Sequence, residues 1–209
     1  MKISYGITVK DESEELFELL QILKKNIDEE DEIIIVRDGM DVPVGALLND
    51  HKESKNLKVY DKKFEGDFAE QKNFVIEKCT GDYIFHIDAD EYPHQTLLEQ
   101  IIAILEANDG IEMIWVPRVN TVDGITEEHC AKWGWRITEK GWVNYPDYQS
   151  RIFKNDPNIR WAGEVHERIV GCKTYSHLPP NEELSLYHPK NIEKQEKQNA
   201  LYQNITIQK

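Results

Sequence analysis

The chain is short of cysteine, short of positive charge and free of long apolar runs. Its three cysteines, Cys79, Cys130 and Cys172, are odd in number and widely spaced along 209 residues. That spacing forms neither a disulfide framework nor a metal cluster, and it fits a reducing compartment. No run is apolar enough for a spanning helix, and the amino terminus lacks a signal-peptide core. The expectation is a cytoplasmic protein with no transmembrane segment. Twenty-five basic against 39 acidic residues leave a net charge of −14. Such a surface repels a phosphate backbone, which argues against general nucleic-acid binding and anionic membranes but permits a local basic site. No internal repeat or low-complexity segment is present.

What is present is alternation. The length suits a single large domain with a sizeable core. Ile3 to Val9 is β-prone, and Asp11-Glu12-Ser13-Glu14 then reads as a capping box with Asp11 as N-cap. Leu16, Leu19, Leu20, Leu23 and Ile27 recur at helical spacing. Ile33-Ile34-Ile35-Val36 is an apolar run expected of a strand buried on both faces. A short helix is expected around Gly45 to Asp50 and a strand over Leu57 to Tyr60. Asp67-Phe68-Ala69-Glu70 and Thr96-Leu97-Leu98-Glu99 are two further capping-box candidates. Ile111 to Val116 is again strand-like. Strands alternating with helices predict an α/β fold with a mostly parallel open sheet and helices on both faces.

From about Pro117 the texture changes. Trp133, Trp135, Trp142, Tyr145, Tyr148 and Trp161 crowd a region with few helical patterns. Most such aromatics are ordinary core, although aromatics on loops around a sheet mouth also suit sugar or base rings. Gln149 to Lys154 and Ile159 to Trp161 are the strand candidates there, and a polar helix is expected from Asn191.

One segment carries the chemistry. Tyr83-Ile84-Phe85-His86-Ile87 is an apolar strand that runs directly into Asp88-Ala89-Asp90-Glu91. The carboxylates therefore emerge at the strand's carboxyl end, where open α/β sheets bind ligands. Two carboxylates one residue apart at that mouth suit a hard divalent cation that also holds phosphate oxygens. A polar strand-to-loop turn is the plain alternative. Glu91 reads as the residue that orients the loop, and His86 as one that faces a helix interface.

Several features recur together: Ile34-Ile35-Val36-Arg37-Asp38-Gly39, Phe68-Ala69-Glu70-Gln71-Lys72-Asn73, Asp88-Ala89-Asp90-Glu91, Gln149-Ser150-Arg151-Ile152-Phe153, Gly163-Glu164-Val165-His166-Glu167 and Tyr187-His188. In this order they resemble the family 2 glycosyltransferases with the nucleotide-diphosphosugar transferase (GT-A type) fold, most of all the small bacterial lipopolysaccharide-core type. The likeness spans roughly residues 3 to 190. Arg37 stands where the family often has aspartate, and Lys72 where it has arginine, which loses the planar fork that suits phosphate.

The resemblance implies a metal-dependent inverting transfer of a sugar from a nucleotide-diphosphosugar donor to a hydroxyl; the acceptor it suggests is a cell-envelope saccharide, with a protein side chain, a small metabolite or a modified DNA base as the alternatives. It implies Mn²⁺ or Mg²⁺ as cofactor, held by Asp90 with Asp88 and His188. Thr8, Asp38, Lys72 and Asp88 would bind the donor nucleotide, with Asp38 at the base or ribose. Glu167 would be the catalytic base, with Glu164 as its rival and His166 beside it. Residues 1–209 would form one domain, with a nucleotide-sugar half (1–116), an acceptor half (117–190) and a terminal helix (191–209). Two alternatives are a non-catalytic nucleotide- or sugar-binding module and a nucleotidyltransferase. The latter wants a Gly-rich basic loop after the first strand, where this chain has the acidic Lys10-Asp11-Glu12-Ser13-Glu14.

Overall fold

The computed structural model describes residues 1–51, 54–163, 167–197 and 199. Its first half alternates as the patterning predicts: β1 (Ile3–Val9), α1 (Ser13–Asn26), β2 (Glu32–Arg37), α2 (Val42–Asp50), β3 (Leu57–Asp61), α3 (Phe68–Lys78) and β4 (Tyr83–Asp88). There follow β5 (Tyr92–Pro93), α4 (Gln95–Ala107), β6 (Met113–Asp123), α5 (Glu127–Trp133), β7 (Val143–Lys154), β8 (Arg160–Ala162), β9 (Arg168–Val170), β10 (Tyr175–His177) and β11 (Leu186–Asn191).

The main sheet runs β3-β2-β1-β4-β7-β6-β11-β5, with β10 paired to β6. The first four strands are parallel. β7 then lies antiparallel between β4 and β6. β6 and β11 resume the parallel direction. The carboxyl ends of β1, β4, β6 and β11 therefore share one rim with the amino end of β7. β8 and β9 form a separate two-stranded ribbon.

β2 shows why a continuous apolar run means burial on both faces. Ile33 and Ile35 join α1, α2 and α4 in one core, whereas Ile34 and Val36 join α3 in the other. Alternate residues of a strand point to opposite faces, so both layers require apolar side chains. On β1 the α3 face carries Ser4, Gly6 and Thr8. A Cβ at Gly6 would sit 2.6 Å from Val75 Cγ1, so glycine lets α3 approach this strand.

Capping is where local reading and structure part. Asp11 does not cap α1; Glu12 is the N-cap and makes no side-chain cap bond. Its Oε2 instead accepts from the N–H groups of Lys10 and Asp11, at 2.8 and 3.2 Å. Leu16, Leu19, Leu20 and Leu23 are all fully buried. Each contributes about 1.5–3 kcal/mol, so packing holds α1 without a cap. Asp67 does cap α3, accepting from Glu70 N at 3.0 Å, but the Glu70 carboxylate turns to Lys62. Thr96 lies inside α4; His94 is its N-cap, with Nδ1 accepting from Thr96 N at 3.1 Å. The full capping box is at α5, between Thr126 and His129, a helix the patterning did not reveal. The expected strand at Ile111–Val116 begins two residues before β6 and covers only its start, and Gln149–Lys154 is the end of the longer β7. Of the terminal helix, residues 192–197 are helical.

All three cysteines are free, and burial pushes the Cys79 thiol up to about 12. No described helix is long and apolar enough to cross a membrane.

Glu32 ties β2 to β1, β3 and the turn before β4. Its carboxylate accepts from Ser4 Oγ (2.7 Å), Thr80 N (2.6 Å) and Lys58 Nζ (2.9 Å). Burial alone would raise its pKa, but these donors outweigh it and lower the value to about 2. A carboxylate depressed on folding stabilises above its unfolded pKa, and that contribution is lost as pH falls through the folded one. Stability should therefore drop between about pH 4.5 and 2. Glu32→Gln should cost on the order of 2–3 kcal/mol at pH 7 and flatten that acid limb. Urea titrations at pH 7 and pH 3 test this; an equally steep acid limb in the variant would refute the assignment.

Candidate active site

The shared rim opens into a cleft of about 920 Å³, within the range of small-molecule sites. Thr8 of β1, Asp88 at the end of β4, Asn120 of β6, Arg151 of β7 and His188 of β11 all line it. The opposite wall includes Lys72 from α3, Trp161 from β8 and Glu167.

The floor is a chain of alternating charges. Arg151, only 3% exposed, donates through Nη2 to Asp88 and to Glu91 Oε1, the latter at 2.6 Å. Glu91 is fully buried and also accepts from Arg118 Nη1 at 2.7 Å and from Asp88 N at 3.2 Å. It orients the loop, as its position after the strand suggested. Arg118 then grips Asp147 Oδ2 through Nε and Nη2, at 2.9 and 2.6 Å. Burial would raise the Asp88 pKa, but Arg151 and Lys72 hold it well below the carboxylate range.

Asp90 belongs to a different arrangement. Its Oδ2 faces His188 Nε2 at 3.5 Å and Lys194 Nζ at 3.3 Å. Behind the imidazole, His188 Nδ1 and Asn120 Oδ1 are 2.8 Å apart, and Asn120 Nδ2 donates to Asp147 Oδ2 at 2.9 Å. Asn120 Oδ1 can only accept, so the proton sits on His188 Nδ1. Burial lowers the His188 pKa, favouring the neutral ring and leaving the Nε2 lone pair turned to a carboxylate. Two acceptors facing one another suit a cation between them. Donors at ~2.1 Å from one octahedral ion stand about 3 Å apart, close to the spacing here. The hydrogen-bonded Nδ1–H is the outer-partner arrangement usual for a metal-ligating histidine. No group of three or more His, Cys, Asp or Glu converges among the described residues. An ion here would take its other ligands from water and substrate oxygens, as Mg²⁺ commonly does. The residues fit such a cation.

Asp88 is not drawn into this pair. One of its oxygens meets Arg151 and the other Lys72 Nζ, at 3.2 Å. Lys72 is itself buried, reaches Glu167 Oε1 at 2.7 Å and lies 4.6 Å over the Trp161 ring. The structure therefore links Glu167 to Asp88 through one ammonium. His86 is fully buried on the α3 side, with Nε2 3.7 Å from Asp88 Oδ1; burial and then Lys72 keep it neutral. Asn73 exchanges two 2.9 Å bonds with the Trp161 backbone, clamping β8 to α3. Gly163, at φ +100, turns the chain after β8. Glu164 and His166 lie outside the described residues.

Asp38 is placed differently from Thr8. Thr8 lines the cleft, but Asp38 is absent from its lining. Asp38 Oδ1 accepts from Phe64 N at 2.8 Å, fastening the loop before α3 to the end of β2. Arg37 pairs with Asp61 at 2.7 Å.

Four positions tied into this network escaped the sequence reading. Arg151 stood inside a noted motif without a role. Arg118, Asn120 and Lys194 had no local signal, since their partners are distant in sequence. The excursion between β6 and β7 carries Trp133 and Trp135, with ring centroids 4.8 Å apart, and Trp135 lines the cleft.

Comparison with known proteins bears on the fold and the family. Solved structures of S. aureus TarS superpose with TM-scores of 0.61–0.62 at 15–16% identity; the 1–349 form with UDP-GlcNAc matches over 91% of this chain and 59% of its own. An uncharacterized glycosyltransferase of Haemophilus influenzae is 31% identical over 101 residues, 48% of this chain and 30% of that protein. Escherichia coli UDP-Gal:alpha-D-GlcNAc-diphosphoundecaprenol beta-1,3-galactosyltransferase is 26% identical over 114 residues, 53% of this chain and 42% of that enzyme. The chain thus spans less than half the length of these curated relatives. The model of glycosyl transferase family 2 matches residues 4–178, most of the chain, and the chain belongs to that family.

Proposed function

We propose that this protein transfers a sugar from a nucleotide-diphosphosugar to a hydroxyl, with a divalent cation and inversion at the anomeric carbon. The observation that carries the reading is the Asp90–His188 pair, backed by Asn120, at the carboxyl rim of a family 2 fold. Asp90 and His188 would hold Mn²⁺ or Mg²⁺, which when bound neutralises charge on the leaving diphosphate. Thr8, at the end of β1, marks the nucleoside end of the site, and Asp38 would serve it by fastening the loop before α3 to the end of β2. Asp88, fixed in its ionised form by Arg151 and Lys72, presents an acceptor to the ribose or to water near the ion.

Glu167 is the base in this reading. Its carboxylate takes the acceptor's hydroxyl proton while that oxygen attacks the anomeric carbon on the face opposite the diphosphate. The carbon–oxygen bond to phosphate breaks and its electron pair leaves with the diphosphate. Lys72 keeps Glu167 in register with the donor site. Trp135, at the β6–β7 end of the cleft, offers a ring face to an acceptor sugar. The name of the E. coli relative describes transfer to a lipid-diphosphate-linked sugar, which supports an envelope saccharide as acceptor. A cytoplasmic site of action is part of the same proposal.

The test is metal-linked donor binding. Nucleoside diphosphate should bind weakly after chelation and tightly with Mn²⁺. Asp90→Asn should erase that gain, by more than the ~10–100-fold that loss of an outer partner of a ligand costs. Calorimetric titration of UDP, GDP, CDP and TDP, with and without Mn²⁺, reads the effect and identifies the base. Equal affinity under both conditions would sink the metal assignment. Slow hydrolysis of one nucleotide-sugar would then identify the donor.

A further inference from the structure

The helical segment 192–197 that follows β11 brings Lys194 to Asp90, a cleft-lining residue, while its neighbour Gln195 lines the cleft itself. Its Nζ lies 3.3 Å from Asp90 Oδ2, the oxygen that faces His188. It is also 3.1 Å from Glu15 Oε1 on α1, and its side chain remains 37% exposed. One ammonium thus bridges the first helix and the Asp90 carboxylate. Lys190 also lines the cleft and its charge acts on Asp90 too, while Lys194 Nζ is the ammonium within ion-pair distance of Asp90 Oδ2.

An ion held by Asp90 and His188 would share Asp90 Oδ2 with this ammonium. Two cations that close repel, so they are alternative occupants of one carboxylate. An anionic ligand on the same ion would stand about 3 Å from its carboxylate donor, as neighbouring ligands of a small cation do. That is within reach of a group already 3.3 Å from the oxygen. A compact point charge on a flexible four-carbon stem suits such a move, where the fixed fork of arginine does not.

We propose that Lys194 exchanges with the metal: it holds Asp90 in the metal-free protein and, once displaced, pairs with the diphosphate of the donor. The proposal rests on the metal-dependent transferase reading above; the Lys194–Asp90 contact is what the geometry supplies. Lys194 is on this account a positioning residue of the donor site.

The proposal makes two effects of opposite sign. Lys194→Met removes the charge and keeps most of the stem. Mn²⁺ alone, followed by the loss of the free-ion electron paramagnetic resonance signal, should bind about tenfold more tightly, the scale of one charge-assisted contact. In saturating Mn²⁺, the tightest binder among UDP, GDP, CDP and TDP should bind about tenfold more weakly. Lys194→Arg keeps the charge and should restore the weaker Mn²⁺ binding, but recover the nucleotide affinity only in part. A residue that only supports the fold would move both affinities the same way. If Lys194→Met leaves Mn²⁺ affinity unchanged or weaker while Asp90→Asn abolishes binding, the metal site stands and the exchange is overturned. If Mn²⁺ tightens but nucleotide affinity does not fall, the hand-over to diphosphate is overturned. If neither wild type nor Lys194→Met binds Mn²⁺, the metal reading fails and the exchange with it.

Discussion

Replacing Glu167 with glutamine should lower sugar transfer by about 10²–10⁴-fold, the usual worth of general base catalysis. Glutamine keeps the shape of the side chain and an oxygen that accepts from Lys72, but it cannot take a proton. The contact it must preserve is the 2.7 Å bond between Lys72 Nζ and Glu167 Oε1. Lys72 would remain anchored by Asp88 at 3.2 Å, so fold and donor site should survive. Donor affinity should therefore hold while turnover collapses, because the base touches the acceptor and not the diphosphate. Initial rates at saturating donor, with donor binding measured separately, distinguish the two. NMR of the product should show the inverted anomeric configuration. An active Glu167→Gln beside a dead Glu164→Gln would move the base to Glu164. Retention of configuration would remove the need for such a base altogether.

The second large effect is on stability. Arg151→Met should destabilise the protein by about 3–5 kcal/mol, the cost of stranding buried charges by removing their partner. Arg151 bridges Asp88 and the fully buried Glu91, so its loss leaves two carboxylates short of a donor. Methionine fills much of the same volume, which keeps the cavity contribution small. Arg151→Lys should recover only part of the loss, since one ammonium lacks the planar fork of a guanidinium. The readout is the urea midpoint at constant slope, and a Met variant with an unchanged midpoint would show that the ion chain contributes no net stability. A double-mutant cycle with Glu91→Gln should give a coupling energy well above that of a surface pair, because both groups lie in the dry interior.

The amino-acid sequence by itself determined the layered architecture. The continuous run Ile33–Val36 requires apolar neighbours on both faces, and the leucines of α1 require one. It also determined that Asp88, Asp90 and Glu91 stand at a strand mouth, because an apolar strand running into charged residues must deliver them at its end. These are consequences of periodicity and burial, which act over a few residues. Capping proved less legible: Asp11, Asp67 and Thr96 had equivalent patterns, yet only Asp67 caps a helix. Glu12 and His94 took the other two places once the loops before α1 and α4 were fixed by the sheet.

The tertiary structure alone decided how the carboxylates divide. Inserting β7 antiparallel beside β4 brings Arg151 to Asp88 across 63 positions of sequence. The parallel pairing of β11 with β6 sets His188 opposite Asn120, and so aims its free nitrogen at Asp90. Asp88 is thereby committed to two buried cations, whereas Asp90 faces an imidazole and a partly exposed ammonium, although they are two residues apart in one motif. Nothing local separates them, because a carboxylate's role depends on which charges share its low-dielectric surroundings. Those charges arrive from strands whose order in the sheet no short-range pattern encodes.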